Sequence, residues 1–139
     1  MEFNKGIVRG SSIEIPGGET SLELLRVGDA VMSRCPRTGT IIDSLVSKLW
    51  NITVESVVEF LFEDIYYTVP FGQFIMSDAG KLRASEVTNK NKIFRKVGDK
   101  VSPVELVAVK RWWVLVPATV IELREGGCLF ANGVQLVLN

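Results

Sequence analysis

Few side chains in this 139-residue sequence are suited to covalent or acid–base chemistry. It contains no histidine, the side chain that most often transfers protons near neutral pH and the commonest transition-metal ligand. Its two cysteines, Cys35 and Cys128, are too few for a zinc site or a disulfide framework. They could form one bridge, but we expect two free thiols. Cys128 directly precedes an apolar strand and is expected in the core, because a free cysteine packs like a small apolar residue.

The remaining candidates for chemistry are weaker still. Cys35 is expected to be exposed and mildly reactive, but no histidine is present to form the thiolate pair of a catalytic cysteine. Glu59, Glu63 and Asp64 form an acidic cluster, yet a hard cation needs roughly six or more oxygen ligands in a defined loop. We therefore expect a solvated turn there, and the sequence predicts no metal and no cofactor.

Composition indicates one packed domain covering residues 1–139, with residues 1–5 as an N-terminal arm. Hydrophobic residues make up 47% of the chain and charged residues 23%, which excludes a disordered protein. The 16 basic and 16 acidic residues cancel, so no long-range field favours nucleic acid or an anionic membrane. The N-terminal residues lack the apolar run of a signal peptide, and no apolar stretch is long enough for a membrane helix. We expect a soluble, cytoplasmic protein, or part of an assembly formed there.

The elements that would position any site are predicted to be mostly β-strands. Turn signals such as Pro36-Arg37-Thr38-Gly39 and Asn132-Gly133 arrive at short intervals between brief apolar stretches. The predicted strands include residues 40–48, 56–62, 100–109, 113–123, 129–131 and 134–138. Short helical turns are expected at residues 20–25 and 83–87. The pattern is typical of an all-β domain.

One internal repeat is visible in the sequence. Arg26-Val27-Gly28-Asp29-Ala30-Val31 recurs seventy positions later as Lys96-Val97-Gly98-Asp99-Lys100-Val101. Glycine accepts a dihedral angle that strains other residues, and aspartate caps nearby amides before a strand. The repeat predicts two halves related by a pseudo-two-fold axis, with the two Gly-Asp turns in equivalent places. Gly-Asp turns are common, so coincidence is the alternative.

These segments together resemble the Hint domain of inteins and hedgehog autoprocessing proteins. The resemblance rests on Ser12-Ile13-Glu14-Ile15 with its Gly17-Gly18 turn, on the Val-Gly-Asp pair, and on the ending from Leu129 to Asn139. An aromatic residue, a small residue, Asn-Gly, a short β-run and a terminal Asn are how a mini-intein typically closes. The resemblance implies a compact β horseshoe of two pseudo-symmetric halves. Residues 89–95 then appear as an exposed insertion.

The resemblance also implies where the catalytic residues should lie. Inteins begin with a Cys or Ser that attacks the preceding carbonyl, followed four residues later by Gly and then Thr or Ser. Gly10-Ser11 fits that pair and puts Gly6 at the nucleophile's position, where there is no side chain to attack with. In the family a threonine and a histidine three residues later activate the scissile amide, whereas this chain has Thr68 and Phe71.

At the C-terminal end the family places a penultimate histidine before the terminal Asn, and here the pair is Leu138-Asn139. A second family histidine, upstream of the last aromatic residue, would fall near Gly127. The family's catalytic positions are thus occupied by Gly6, Thr68, Phe71, Gly127, Leu138 and Asn139. Only Thr68 and Asn139 keep the family's residue type. Thr68, Phe71, Leu138 and Asn139 are expected to converge near Gly6 in an apolar cleft.

Two groups of residues are candidates for binding a partner. The first is a basic stretch around an aromatic ring, and the second is a tryptophan pair at the start of an apolar run. They comprise Lys90, Lys92, Phe94, Arg95, Trp112 and Trp113. Adjacent strand residues face opposite sides, so at most one of the two indoles can enter the same core. The other is expected to be covered by a loop, the neighbouring half or a partner.

We expect a catalytically inactive Hint-like domain that serves as a structural or protein-interaction module. Its partner would be a protein or a flanking polypeptide, in an oligomer or in a larger assembly such as a virion. The alternative is a self-splicing intein or hedgehog-like autoprocessing domain, divergent or deliberately inactivated. Both family histidines are absent while Asn139 is retained. This pattern favours natural loss of activity and use for another role over deliberate inactivation for study.

Overall fold

The chain folds almost entirely into antiparallel strands. The computed structural model describes residues 4–35 and 37–138. Residues 1–3 of the expected N-terminal arm, Pro36 of the expected turn, and Asn139 of the expected site therefore lie outside the described residues. Helix within the described ranges is limited to two single 3-10 turns, Leu22–Leu24 and Ala84–Glu86, inside the two predicted helical segments. The all-β prediction is confirmed.

Two sheets contain the strands of the described chain. In chain order the strands are β1 (Ile7–Val8), β2 (Ser12–Ile15), β3 (Gly18–Ser21), β4 (Ala30–Arg34), β5 (Ile41–Leu61), β6 (Tyr66–Pro70), β7 (Phe74–Ser77), β8 (Gly80–Arg83), β9 (Lys92–Val97), β10 (Lys100–Glu105), β11 (Ala108–Leu123), β12 (Cys128–Ala131) and β13 (Val134–Val137). The first sheet has the order β1-β11-β5-β4, with β6 also paired to β5. The second has the order β10-β9-β7-β13-β12-β2-β3, with β8 beside β7. The hydrophobic core draws buried residues from both sheets.

The longest pairing joins β5 and β11. It runs from Leu61 opposite Ala108 to Val46 opposite Leu123. The prediction of two strands at residues 40–48 and 56–62 is therefore wrong, because β11 supplies hydrogen-bond partners across the interval between them. Similarly, the break expected between residues 109 and 113 lies at residues 106–107 instead.

The hairpin between β12 and β13 forms as predicted. Asn132 and Gly133 both have positive φ angles, 49° and 79°, between the paired residues Ala131 and Val134. Two residues with φ above zero form the turn whose twist matches that of a hairpin, and Asn-Gly is its preferred sequence. Every residue of β12 and β13 is buried. This hairpin is the centre of the second sheet, beside β7 on one side and β2 on the other.

The two halves are related, but the offset between equivalent residues differs from the seventy positions that separate the two Val-Gly-Asp segments. The elements β2, β3, the first 3-10 turn and β4 correspond to β7, β8, the second 3-10 turn and β9, with an offset of 62 residues in each case. Backbone hydrogen bonds repeat with the same offset. The amide of Leu22 donates to Ser11 as that of Ala84 donates to Gln73, and Ser11 bonds to Val8 as Gln73 bonds to Pro70.

The expected equivalence of Gly28-Asp29 and Gly98-Asp99 is therefore wrong. The Asp29 carboxylate accepts a hydrogen bond from the amide of Arg26 at 2.8 Å, and its counterpart is Asn91, whose side chain accepts from Thr88 at 2.9 Å. Gly98-Asp99 instead forms the hairpin turn between β9 and β10. Both glycines have positive φ, so similar turn chemistry at unrelated places produced the sequence match.

Residues 89–95 differ from the exposed insertion that was expected. Asn89 and Lys90 are exposed in a turn, but Lys92 begins β9, which pairs with β10 and contacts β7 and β13. Ile93 and Arg95 are buried. The segment is thus the second-half counterpart of β4. Within the described part of the chain, no helix has the length and apolar character that a membrane crossing requires.

Substitution of a core residue tests the packing between the sheets. Phe60 is completely buried at the end of β5. Phe60→Ala is expected to lower the free energy of unfolding by about 3–5 kcal/mol, because it removes a large apolar side chain and leaves a cavity. Leu115→Ala is the control, since Leu115 is 70% exposed and its loss should change stability by less than about 0.5 kcal/mol. Urea denaturation measures both, and equal losses would contradict this core.

Candidate functional site

A single buried glutamine joins the beginning and the end of the described chain. The amide of Gly6 donates a hydrogen bond to Oε1 of Gln73 at 3.0 Å. The Nε2 group of Gln73 donates to the carbonyl of Val137 at 2.8 Å. It also donates to the carbonyl of Phe74, the next residue in the chain, at 3.0 Å. Gln73 is 1% exposed. One neutral side chain therefore satisfies polar backbone groups from both ends of the domain.

The local fold fixes Gln73 in this position. Its amide donates to the carbonyl of Pro70 at 3.1 Å, which closes the turn between β6 and β7. The next residue begins β7, where Phe74 lies opposite Val137 of β13. The side chain thus leaves the turn at the point where the last strand ends, and it reaches β1 from there.

Gly6 has little room for a side chain. It is buried, with a φ of +156°, a backbone conformation that residues with a side chain rarely adopt. A Cβ at this position would lie 3.3 Å from Cβ of Ala118, 3.4 Å from the carbonyl oxygen of Thr119 and 3.5 Å from Ile52. A side chain at this position would therefore need its neighbours to give way slightly, in addition to adopting the strained φ.

Phe71 and Leu138 make other contacts than those expected from the sequence. The Phe71 ring packs edge-on against Trp113, with ring centroids 5.2 Å apart. The amide of Leu138 donates to the carbonyl of Gly127 at 2.6 Å. It is Gln73, two residues beyond Phe71, whose side chain meets the Gly6 amide. Asn139 lies outside the described residues.

Thr68 lies beside two buried hydroxyl groups. It lines an open cleft of about 580 Å³ together with Ser11 and Tyr67. The Ser11 hydroxyl lies 2.8 Å from the Tyr67 hydroxyl and donates to the carbonyl of Val8 at 2.7 Å. Burial raises the pKa of Tyr67 far above its ordinary value, so the phenol stays protonated and offers no base for Ser11. This arrangement satisfies buried polar groups without activating a nucleophile.

The prediction that Arg95 forms part of a partner-binding surface is wrong, because the guanidinium is buried and already paired. It makes a two-pronged contact with the Asp64 carboxylate at 2.8 and 3.0 Å and lies 4.6 Å from the centre of the Phe62 ring. The Arg95 hydrogen bonds hold the pKa of Asp64 below its ordinary value. Asp64 therefore belongs to an ion pair, and no group of acidic or cysteine residues in the described chain is arranged to hold a metal.

The other candidate partner-binding residues remain accessible in part. Lys90 and Lys92 are exposed, while Phe94 is half-buried with the Arg34 guanidinium 5.7 Å from its ring centre. Trp112 and Trp113 are 50% and 73% exposed. Neither indole enters the core, although the expectation allowed one of them to do so.

Comparison with solved structures identifies the fold. A bacterial intein-like domain from Clostridium thermocellum superposes with a TM-score of 0.86 and 16% sequence identity, over 98% of this chain and 99% of that chain. A DnaB intein from Synechocystis sp. PCC 6803 has a TM-score of 0.86 and 13% identity, over 98% and 99%. A DnaX mini-intein from Spirulina platensis has a TM-score of 0.78 and 17% identity, over 96% and 99%.

The chain therefore has the intein-like Hint fold, as the sequence motifs indicated. No protein-family model and no curated protein matches the sequence. At identities of 13% to 17%, it is the path of the backbone that is shared, so the chemistry has to be argued from the residues of this chain.

Sequence reasoning missed Gln73. The signal was present, since a lone amide side chain stands between Gly72 and the apolar residues of β7. The 62-residue register also aligns Gln73 with Ser11, the residue that matches the Thr or Ser following the glycine in the resembled family. The wrong repeat register concealed this correspondence.

Replacement of Gln73 tests whether its hydrogen bonds to Gly6 and Val137 stabilise the domain. Gln73→Ala removes the acceptor of the buried Gly6 amide and the hydrogen bond to the Val137 carbonyl, so the free energy of unfolding should fall by about 1–3 kcal/mol in urea denaturation. Gln73→Glu keeps the acceptor but, when ionised, lacks the donors. Burial raises the pKa of such a glutamate, so this variant should gain stability as the pH falls from about 7 to about 5. An unchanged stability in both variants would contradict the role.

Acid titration tests the Asp64–Arg95 pair. Because the folded-state pKa of Asp64 is lowered, its contribution is present above the ordinary carboxyl pKa of about 4 and is lost as the pH falls through the lower value. Asp64→Asn should therefore show a weaker loss of stability on acidification than the wild type. Glu63→Gln changes a neighbouring exposed carboxylate and should keep the wild-type dependence. Identical pH profiles for all three proteins would refute the pairing.

Proposed function

We propose that this Hint domain does not splice or cleave itself and acts as a structural or protein-interaction module. The observation that carries the proposal is Gly6. At the position where the resemblance places the nucleophile, the chain has a buried glycine whose φ and neighbours disfavour any side chain. Its amide is held by Gln73, which is not a proton donor of the histidine type.

Other nucleophiles in the chain do not replace the missing one. An acyl shift requires the attacking group to follow the scissile bond directly, and Ser11 is five residues further on, buried and hydrogen-bonded. Burial raises the pKa of Cys128, which disfavours its thiolate. A positioned acid or base contributes about 10²- to 10⁴-fold, so losing the nucleophile and the histidines together should leave no measurable turnover.

The outer part of β11 supports an interaction role. Trp112, Trp113, Val114 and Leu115 are all substantially exposed, and the regular register with β5 is interrupted between Trp113 and Val116. Among the described residues, β1 pairs with the other edge of β11 at Ala118 and Thr119, and the amide of Arg9 donates to the carbonyl of Pro117. An exposed apolar strand segment is suited to contact with a protein partner or a flanking polypeptide.

An autoprocessing domain is the second candidate. Two observations favour it: the Gln73 tie holds Gly6 and Val137 together, and the matched structures include inteins. A self-splicing domain needs both ends in one place. In this chain the same closeness is explained by the hydrogen bonding of the scaffold.

A splicing assay separates the two candidates. The domain is placed between two reporter proteins, with a Cys directly after Asn139, and products are followed with and without added thiol. The unaltered sequence should give neither ligated nor cleaved reporter, while circular dichroism confirms that the domain is folded. Ligated or cleaved product from the unaltered sequence would overturn the proposal in favour of a divergent intein.

Restoration of the missing groups tests whether the loss is chemical. Gly6→Cys with Gln73→His places a thiol and a proton donor where the amide contact occurs, and thiol-dependent cleavage before residue 6 is the expected product. Gly6→Ala with Gln73→His is the matched control, because it imposes the same backbone strain without a nucleophile. Cleavage in the alanine control would show that another group attacks.

A further inference from the structure

The two cysteines, which the proposed function does not use, line one cavity. Cys35 and Cys128 face a space of about 470 Å³ whose walls also include Arg34, Met76, Phe94 and Val137. This volume is in the range of small-molecule sites, and apolar walls with one cationic group are typical of them. The cavity is separate from the Gly6 site and from the cleft beside Thr68.

The Cys128 thiol lies against the strand that leads to Cys35. Its sulfur accepts a hydrogen bond from the Arg34 amide at 3.1 Å and lies 3.7 Å from the Ser33 hydroxyl and from the Arg34 carbonyl oxygen. The Arg34 carbonyl carbon is bonded directly to the nitrogen of Cys35. The two cysteines are therefore neighbours in space although 93 positions separate them in the sequence.

Cys35 directly follows β4, whose last residue, Arg34, contacts the Cys128 sulfur through its amide. Both cysteines line the same cavity. The backbone of Cys35 continues the hairpin, since its amide donates to Thr40 at 2.8 Å and its carbonyl accepts from Gly39 at 2.8 Å. Cys35 is half-buried, whereas Cys128 is buried.

We propose that Cys35 and Cys128 form a dithiol site that closes to an intramolecular disulfide by exchange with a low-molecular-weight disulfide admitted to the cavity. The Cys35 thiolate attacks one sulfur of the small disulfide, forms a mixed disulfide and releases one small thiolate. The Cys128 thiol then loses its proton and attacks the Cys35 sulfur, releasing the second. The protein loses two electrons and two protons, and the small disulfide is reduced to two thiols.

The surroundings of the two thiols indicate that Cys35 reacts first and Cys128 second. Hydrogen bonds from Thr38 lower the pKa of Cys35, which favours its thiolate as the first nucleophile. Burial raises the pKa of Cys128, which keeps it protonated until the mixed disulfide is beside it. The Arg34 guanidinium lines the same cavity and is suited to an anionic group on the small disulfide.

Closure of the disulfide would link the two sheets covalently. Cys35 directly follows β4 of the first sheet, and Cys128 begins β12 of the second. The bridge encloses most of the chain, which restricts the unfolded state and should raise the melting temperature.

Oxidised glutathione provides the test. The reduced wild-type protein should lose both thiols, fall by about two mass units and retain no glutathione, as two protons leave and both glutathione halves are released. Cys128→Ser should stop at a stable glutathione adduct on Cys35, and Cys35→Ser should remain unmodified over the same time. The oxidised wild type should melt at a higher temperature than the reduced protein, with no such shift in either variant.

The opposite results overturn the proposal. They are a glutathione adduct that persists in the folded wild type, a disulfide between two molecules, or modification of Cys128 at the wild-type rate when Cys35 is serine. Cys128→Ala provides a second, apolar replacement at the buried position. Near-ultraviolet circular dichroism confirms that each variant is folded, so an unmodified Cys35 in a folded Cys128 variant also counts against the site.

Discussion

The hydrogen bonds of Gln73 are the constraint on which the arrangement of this domain depends. The Gly6 amide and the Val137 carbonyl are both buried, and a buried backbone group without a partner costs about 1–3 kcal/mol. An amide side chain can accept from the first and donate to the second while remaining neutral. It therefore joins β1, β7 and β13 without burying a charge. Gly6 itself lies close to Ala118 and Thr119 of β11, where a side chain would make tight contacts.

The pseudo-symmetry of the scaffold explains where this tie arises. Ser11 and Gln73 occupy equivalent turns, each bonded to the residue three before it and accepting from the 3-10 turn that follows. In the first half the Ser11 hydroxyl bonds to Tyr67, and in the second half Gln73 crosses to Gly6. The backbone is thus duplicated, whereas the side chains at equivalent positions make different connections. Function in such a fold is decided by those side chains rather than by the strands.

Much of the fold follows from local signals in the sequence. Asn132-Gly133 specifies its turn because both residues tolerate positive φ, and the apolar segments on either side become the central hairpin. The continuous course of β5 was not predicted although its middle contains Leu49, Ile52 and Val54, because the pairing that stabilises it joins residues far apart in the chain. The repeat register was misjudged because Gly98-Asp99 resembles Gly28-Asp29 in residue type but not in place. Gly6 was identified from motif spacing, while Gln73 was missed because its role depends on contacts far apart in the chain.

Gln73 connects the Gly6 amide to the carbonyl of Val137 by hydrogen bonds at both ends of its side-chain amide. Amide hydrogen exchange in the folded protein, followed residue by residue by nuclear magnetic resonance, measures this directly. Slow exchange is expected for the Gly6 amide and for the side-chain amide protons of Gln73, in contrast to fast exchange at exposed Lys5. If the Gly6 amide exchanges as fast as that of Lys5, its hydrogen bond to Gln73 is open in solution, and Gln73 does not hold the two ends of the domain together.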